Sequence, residues 1–329
     1  MKLTLSDEQA RFAATLHDLL DASDVPAASR AWATGDPAPG RAVWRRLADA
    51  GVAALAVPEK WGGLDASPAD LAVACEELGH HAVPGPVTET VAAVPALLAA
   101  LGRPATERWL PALASGDAIA TLAAPPWLPY AVDADASDLV LVASPGGAVR
   151  AGVVGTALAS VDPARRLFQV HDGASIGDLS RDALGRALDL GALACSAHLL
   201  GAGRALLETA VGYAKQRTQF GSAIGRFQAV KHALADVAVG LEFARPLVYA
   251  AAVTLAPRDV SAAKVACAGA AHRAARAALQ VHGAIGYTEE YGLGQWLTRV
   301  RALISAWGTS SEHRTRVLAT LSAPAEPWS

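Results

Sequence analysis

The sequence predicts a mostly α-helical protein with a small β unit set between two helical regions. Three observations predict it. The apolar bulk comes from Ala and Leu with few aromatic residues, long three-four apolar spacing runs through the C-terminal half, and the middle switches to short β-branched runs. In chain order this gives an N-terminal helical domain at residues 1–116, a small antiparallel β domain at 117–175 and a helical bundle at 176–329.

Ser6 and Gln9 have capping-box spacing, and Phe12, Leu16, Leu19 and Leu20 follow on one face. Residues 21–42 hold Pro26, Pro37 and Pro39 and read as a loop, with a second helix over Val43–Ala50. Val57 to Leu64 is a turn-rich connector, and helix resumes through Glu76, Ala92–Leu101 and Glu107–Ala114. Ala118–Ala123, Asp138–Ala143, Val149–Val154 and Leu167–Val170 read as strands. Beyond them, Val230, Leu234, Val237, Leu241, Ala244 and Val248 form the stripe of a long helix that Pro246 should kink. Ala-rich helices precede it, at about Leu188–Gln216, and follow it, at about Val260–Val281.

Composition narrows the function classes. A net charge of −3 with no basic run argues against nucleic acid as a partner. Met1–Glu8 is acidic with no apolar core, so no signal peptide is expected, and charged residues at helical spacing argue against a membrane span. Cys75, Cys195 and Cys267 sit in apolar helical contexts and read as buried reduced thiols of a cytoplasmic protein. There is no CxxC and no HExxH, and adjacent His80 and His81 cannot share one helix face, so no metal site is expected.

Four segments, in order, resemble the acyl-CoA dehydrogenase family. Val57-Pro58-Glu59-Lys60-Trp61-Gly62-Gly63-Leu64 with Glu76-Glu77-Leu78-Gly79 is similar to its N-terminal signature, and Leu110 to Gly116 to the entry of its β domain. Arg217-Thr218-Gln219-Phe220-Gly221 with Phe227-Gln228 resembles its Arg-x-Gln-Phe-Gly motif. Gln280-Val281-His282-Gly283-Ala284-Ile285-Gly286-Tyr287 resembles Gln-x-x-Gly-Gly-x-Gly, with Ala284 replacing one Gly. The resemblance implies a reduced β domain, a C-terminal four-helix bundle and an FAD cofactor. Arg217 would offer the pyrophosphate a cation, and Gly283, Ala284 and Gly286 a close backbone. Gln219, Gln228 and Gln280 would give hydrogen bonds, and Phe220 an adenine wall. Taken without the resemblance, Arg217 merely ends a helix and the glycines make a turn. In the family these motifs act in trans, on the FAD of the neighbouring subunit.

The family's cis elements are degenerate. Where it has Thr-Glu-Pro-x-x-Gly-Ser-Asp against the flavin, this chain has Thr121 to Leu128 without the Gly-Ser-Asp. A carboxylate must remove the substrate's α-proton. One family position for it falls on Trp307, in Trp307-Gly308-Thr309, and the other on Gly191, after Leu188-Asp189-Leu190. Asp189 is the fallback base. Glu208 and Glu242 read as facing solvent or pairing with Arg, and Glu289 and Glu290 as turn or surface residues. Gly308 to Arg314 resembles actinobacterial α2β2 chains acting on CoA thioesters of steroid side chains, although His313 and Arg314 alone read as a solvated helix end.

The expectation is a non-catalytic subunit. A longer homologous chain carries the base and binds most of the acyl-CoA, and this chain shares that partner's FAD in a heterotetramer. Three alternatives stand beside it: an active homo-oligomer using an unrecognised base such as Asp189, a flavin monooxygenase on the same fold, and a cofactor-free helical structural protein.

Overall fold

The computed structural model describes residues 4–102, 104–288 and 292–322. The N-terminal region folds into α1 (Asp7–Asp21), α2 (Val25–Ala33), α3 (Ala38–Asp49), α4 (Pro68–His80), α5 (Val94–Ala100) and α6 (Ala105–Ala114). The capping box forms: Gln9 N donates to Ser6 Oγ and Ser6 N to Gln9 Oε1, both at 3.1 Å. The loop expected over residues 21–42 is largely helix, namely α2 and the start of α3. Its prolines misled because Pro26 and Pro39 occupy first turns, where the missing N–H has no intrahelical partner to lose. Asp24 Oδ1 caps α2 by accepting from Ala27 N at 3.1 Å.

The middle region holds β1 (Ala120–Ala123), β2 (Ala131–Val132), β3 (Leu139–Ala143), β4 (Ala148–Leu158) and β5 (Leu167–Asp178), in spatial order β1-β3-β4-β5-β2. The sheet is mixed, which corrects the all-antiparallel expectation: β1 pairs with β3 in parallel and the remaining pairings are antiparallel. The strands β4 and β5 outrun their apolar stretches because their partly exposed residues are carried by pairing with each other, and β5 continues through Asp178, past the expected boundary at 175.

The C-terminal region is α7 (Arg181–Gln216), α8 (Gln228–Thr254), α9 (Pro257–His282), α10 (Gly294–Leu303) and α11 (Ser310–Ser322), with α9 packed against α7, α8 and α11. Leu234, Val237, Leu241, Ala244 and Val248 are buried along α8, as their spacing predicts, and the helix runs on past Pro246. The N-terminal region joins the bundle where α4 crosses α7 on bare backbone. A Cβ on Gly79 would stand 2.1 Å from the His198 carbonyl oxygen, and one on Gly201 would stand 1.8 Å from that of Glu76. Against the sequence expectation, α7 and α8 are long and apolar enough, by length and composition, to cross a membrane. In α7 that surface is core, 83% of the apolar window being buried. The helix α8 keeps an exposed apolar edge of Val239, Phe243 and Leu247. Cys75, Cys195 and Cys267 are free and buried, and burial pushes all three thiols up.

Candidate functional site

Trp307 follows α10 and is fully buried, with its indole against Gly191 of α7. Its Nε1 donates to Thr88 Oγ1 at 2.9 Å, and Thr88 in turn donates to Glu89 Oε2 at 2.9 Å. The backbone of Trp307 lies at φ 59, a costly conformation for a bulky residue. Two buried side chains hold it there. Lys264 Nζ donates to the carbonyls of Leu303 at 3.0 Å and Gly308 at 3.4 Å. His313 Nε2 donates to the Trp307 carbonyl at 2.7 Å while its Nδ1 accepts from Ser261 Oγ at 3.0 Å. Burial lowers the pKa of both Lys264 and His313. The solvated helix end expected at His313 and Arg314 is therefore corrected for His313, which is buried, while Arg314 is exposed.

Asp189, the fallback base, is buried and tied to Arg316 of α11: Arg316 Nη2 donates to Oδ2 at 2.8 Å and Nη1 donates to Oδ1. The same guanidinium stands over the Trp127 ring, 5.1 Å from its centroid. Trp127 belongs to the turn where the family's flavin motif would lie, and it also packs edge-on against His313 at 5.5 Å. The cleft beside it has a volume of about 250 Å³ and is lined by Pro125, Pro126, Trp127, Leu184, Leu188 and Arg316 among others. The turn brings two prolines and an indole to the cleft in place of the family's Gly-Ser-Asp, while Ser144, Arg181 and Arg316 supply polar groups elsewhere in its lining.

Sequence reading missed Glu89. It is buried in a π-turn (Glu89–Ala93) before α5, and its Oε1 has no hydrogen-bond partner among the described residues. The signal was available: one acid stands inside the apolar run from Val87 to Leu98.

The remaining predicted residues gather at the other end of α7. Arg217 caps that helix, and a two-residue hairpin follows, β6 (Thr218–Gln219) and β7 (Ser222–Ala223), with Phe220 and Gly221 at φ 52 and 76. Phe220 is 91% exposed at the hairpin tip, and Arg217, Gln219 and Gln228 are exposed as well. Tyr213, one turn before Arg217, stacks on His282 with ring centroids 4.3 Å apart, which brings the second motif alongside the first. Gln280, Gly283 and Ala284 are exposed. Gly283 adopts φ 63 and ψ −139, a region essentially closed to other residues, while Cβ space around it is open. Among the described residues Arg217 makes no salt bridge. An exposed cation, an aromatic ring and a glycine-only turn thus lie on the outer surface at this end of α7, chemistry suited to a phosphate and an aromatic base.

Glu208 lies 2.9 Å from His80 Nε2 and Glu242 accepts from Arg245 at 2.8 Å, as the sequence expects for pairing groups. Glu289 and Glu290 lie outside the described residues. The expectation that His80 and His81 cannot bring their imidazoles to one side is corrected. The helix α4 ends at His80, so His81 leaves the helical path, and their ring centroids stand 4.8 Å apart with His17 completing a triangle at 5.0 and 4.8 Å.

Residues 6–117 match the family described as acyl-CoA dehydrogenase, N-terminal domain, and residues 181–322 match acyl-CoA dehydrogenase, C-terminal domain. The chain is 35% identical over 299 residues to acyl-CoA dehydrogenase IpdE2 of Mycobacterium tuberculosis (strain ATCC 25618 / H37Rv), covering 90% of this chain and 92% of that one. Among solved structures, it is similar to the ChsE4–ChsE5 complex from Mycobacterium tuberculosis, with a TM-score of 0.86, 24% identity, and 99% and 100% of the two chains covered. It is also similar to a variant of the Tcur3481–Tcur3483 steroid ACAD, with a TM-score of 0.85, 22% identity, and 98% and 99% covered.

Proposed function

The chain belongs to the acyl-CoA dehydrogenase family, and from that premise we propose that it is the base-free subunit of a hetero-oligomeric, FAD-dependent acyl-CoA dehydrogenase. Members of the family bind FAD. In this assembly a longer homologous chain carries the carboxylate base and most of the acyl-CoA site, and this chain completes that partner's FAD site in trans. The observation that carries the reading is Trp307 stacked on Gly191, which fills the place where a base would stand. Indole nitrogen is not basic, and here its N–H is already committed to Thr88.

The outward motif supports the other half of the reading. Arg217 places a fixed cation for a pyrophosphate, Phe220 offers an adenine wall, and Gln219, Gln228 and Gln280 offer hydrogen bonds. The backbone at Gly283 and Ala284 allows close approach. The flavin, when bound, supplies the hydride acceptor for dehydrogenation between the α and β carbons. Two of the solved structures that the chain resembles are a complex of two proteins, ChsE4 and ChsE5, and a steroid enzyme, Tcur3481–Tcur3483. They support a hetero-oligomer acting on the CoA thioester of a steroid side chain, and the α2β2 stoichiometry and cytoplasmic location are parts of the proposal itself.

Co-expression with the longer homologue tests the proposal. Alone, the chain should purify without flavin and without acyl-CoA oxidation, and the pair should hold two FAD per four chains and turn over. Flavin near one per chain with turnover in the isolated protein sinks it. A second reading, an active homo-oligomer with an unrecognised base, draws its one observation from Glu89, a buried carboxylate with an unpartnered oxygen beside the Trp307–Thr88 contact.

A further inference from the structure

We propose that His17, Glu77, His80 and His81 form a divalent-cation site, fitted to zinc, that clamps α1 to the end of α4. One ligand atom from each of the four lies within 4.8 Å of the others. His17 Nδ1 stands 3.1 Å from Glu77 Oε2 and 3.2 Å from His81 Nε2. Two tetrahedral ligands at the usual zinc distances are ~3.3 Å apart, so both edges match a tetrahedron closed around an ion. A hydrogen-bond network accounts for them less well. Glu77 Oε2 only accepts, so a single His17 N–H would be shared between that carboxylate and the facing imidazole nitrogen. A cation satisfies all three lone pairs at once.

What stands behind these atoms points the same way. Asp21 places its carboxylate 3.6 Å from His17 Nε2 and 3.6 Å from His81 Nδ1, the outward nitrogen of each ring. Metal-bound imidazoles turn their second nitrogen to such a carboxylate, which orients the ring and raises its basicity. Glu77 is braced by Arg204 Nη2, at 2.7 and 2.8 Å from its two oxygens, and a carboxylate keeps lone pairs for an ion beyond those bonds. His80 Nδ1 is buried without a hydrogen-bond partner among the described residues, which leaves it as the fourth donor. Trp296 Nε1 fixes the backbone there by donating to the His80 carbonyl at 2.8 Å. A cavity of about 290 Å³ lined by Asp21, His80, His81, Glu208 and Trp296 gives the ion a path in. Three imidazoles and one carboxylate suit zinc, whereas magnesium and calcium demand oxygen ligands. The site shares no residue with the flavin motifs, so it stands or falls apart from the proposed function.

Untagged full-length chain, stripped with chelator, is titrated with zinc chloride by calorimetry and with cobalt(II) by visible absorption. One zinc per chain is expected at a Kd of about 1 μM or tighter, with the intense cobalt bands of a tetrahedral site. His17→Gln and His81→Gln should each weaken zinc by at least about 100-fold, and Asp21→Asn, which leaves every ligand in place, by about 10- to 100-fold. Because the histidine variants remove packed groups, Asp21→Asn also serves as the variant with an undisturbed fold. The idea fails if the wild type binds no zinc, if cobalt gives only a weak octahedral spectrum, or if Asp21→Asn and His17→Gln bind zinc as the wild type does.

Discussion

The indole of Trp307 lies on the backbone of Gly191: a Cβ built at residue 191 would stand 2.1 Å from Cζ3 and 2.3 Å from Cη2 of that ring. The two positions that family resemblance offers for a base are thus one place in space, and a side chain from the first fills it. The relation is reciprocal, since the glycine makes the room that the ring takes. Trp307 is held in its uncommon left-handed backbone conformation by Lys264 and His313, so the ring is fixed from behind as well as from in front.

That contact predicts a strong energetic coupling. Gly191→Ala should destabilise the chain by about 1–3 kcal/mol through overpacking, and Trp307→Leu by about 2–4 kcal/mol through the cavity it leaves. The double variant should be better than the sum of the two by more than about 1 kcal/mol, because each change relieves the other. Urea-unfolding midpoints of the four proteins measure it, and strictly additive losses would show that the two residues do not compete for one space.

Asp189 is expected to act as a structural anion. Its carboxylate is clamped by Arg316 in two hydrogen bonds, and the same arginine covers Trp127. Asp189→Asn should cost about 1–3 kcal/mol of stability, the range for losing hydrogen bonds to a charged group, while turnover of the assembled pair stays within about twofold. Glu89→Gln should likewise leave turnover unchanged. A loss of about 100-fold or more in either variant, in an assembly of unaltered composition, would identify that residue as the base and remove the two-chain reading.

Much of the fold was legible because its signals are periodic. The α8 stripe and the Ser6–Gln9 cap depend on spacing alone. The rest is hidden where the outcome of a local rule depends on position within an element. Proline breaks a helix interior, but Pro26 and Pro39 stand in first turns, which tolerate it. His80 and His81 point apart only if both are helical, and the helix stops between them. The Trp307–Gly191 stacking was legible only as two separate oddities, since nothing local says that residues so distant in sequence share one space. Lys264 carried no warning at all. A lysine in an Ala-rich helix looks solvated until the carbonyls of Leu303 and Gly308 are folded onto it.

Arg217 and Phe220 make a surface prediction. Both are exposed and neither supports the core, so Arg217→Ala and Phe220→Ala should change unfolding free energy by no more than about 0.5 kcal/mol. In the co-purified pair, each should raise the concentration of FAD needed for half-saturation by about tenfold or more, the worth of a charged phosphate contact or a stacked ring. Flavin titration of the stripped complex reads this directly. Full retention of FAD affinity by both variants would mean that the motif faces no cofactor.

The last prediction concerns pH. Asp133 is buried at the edge where β2 pairs with β5, and burial pushes its carboxyl up to about 7, against the opposing pull of Trp32, Arg166 and Arg165. An unfolded aspartate titrates near ~3.9. Across the window between these values the folded chain keeps a proton that the unfolded chain has released. Stability therefore falls as pH rises through it and stays reduced above about 7. Asp133→Asn keeps the shape and the oxygen that accepts from Arg166 N at 3.0 Å but cannot ionise. Its melting temperature relative to wild type should therefore climb between pH 4.5 and pH 8, whatever the offset at the acid end. Thermal melts of both proteins at the two pH values decide it, and a difference that does not change with pH would place the Asp133 titration outside this range.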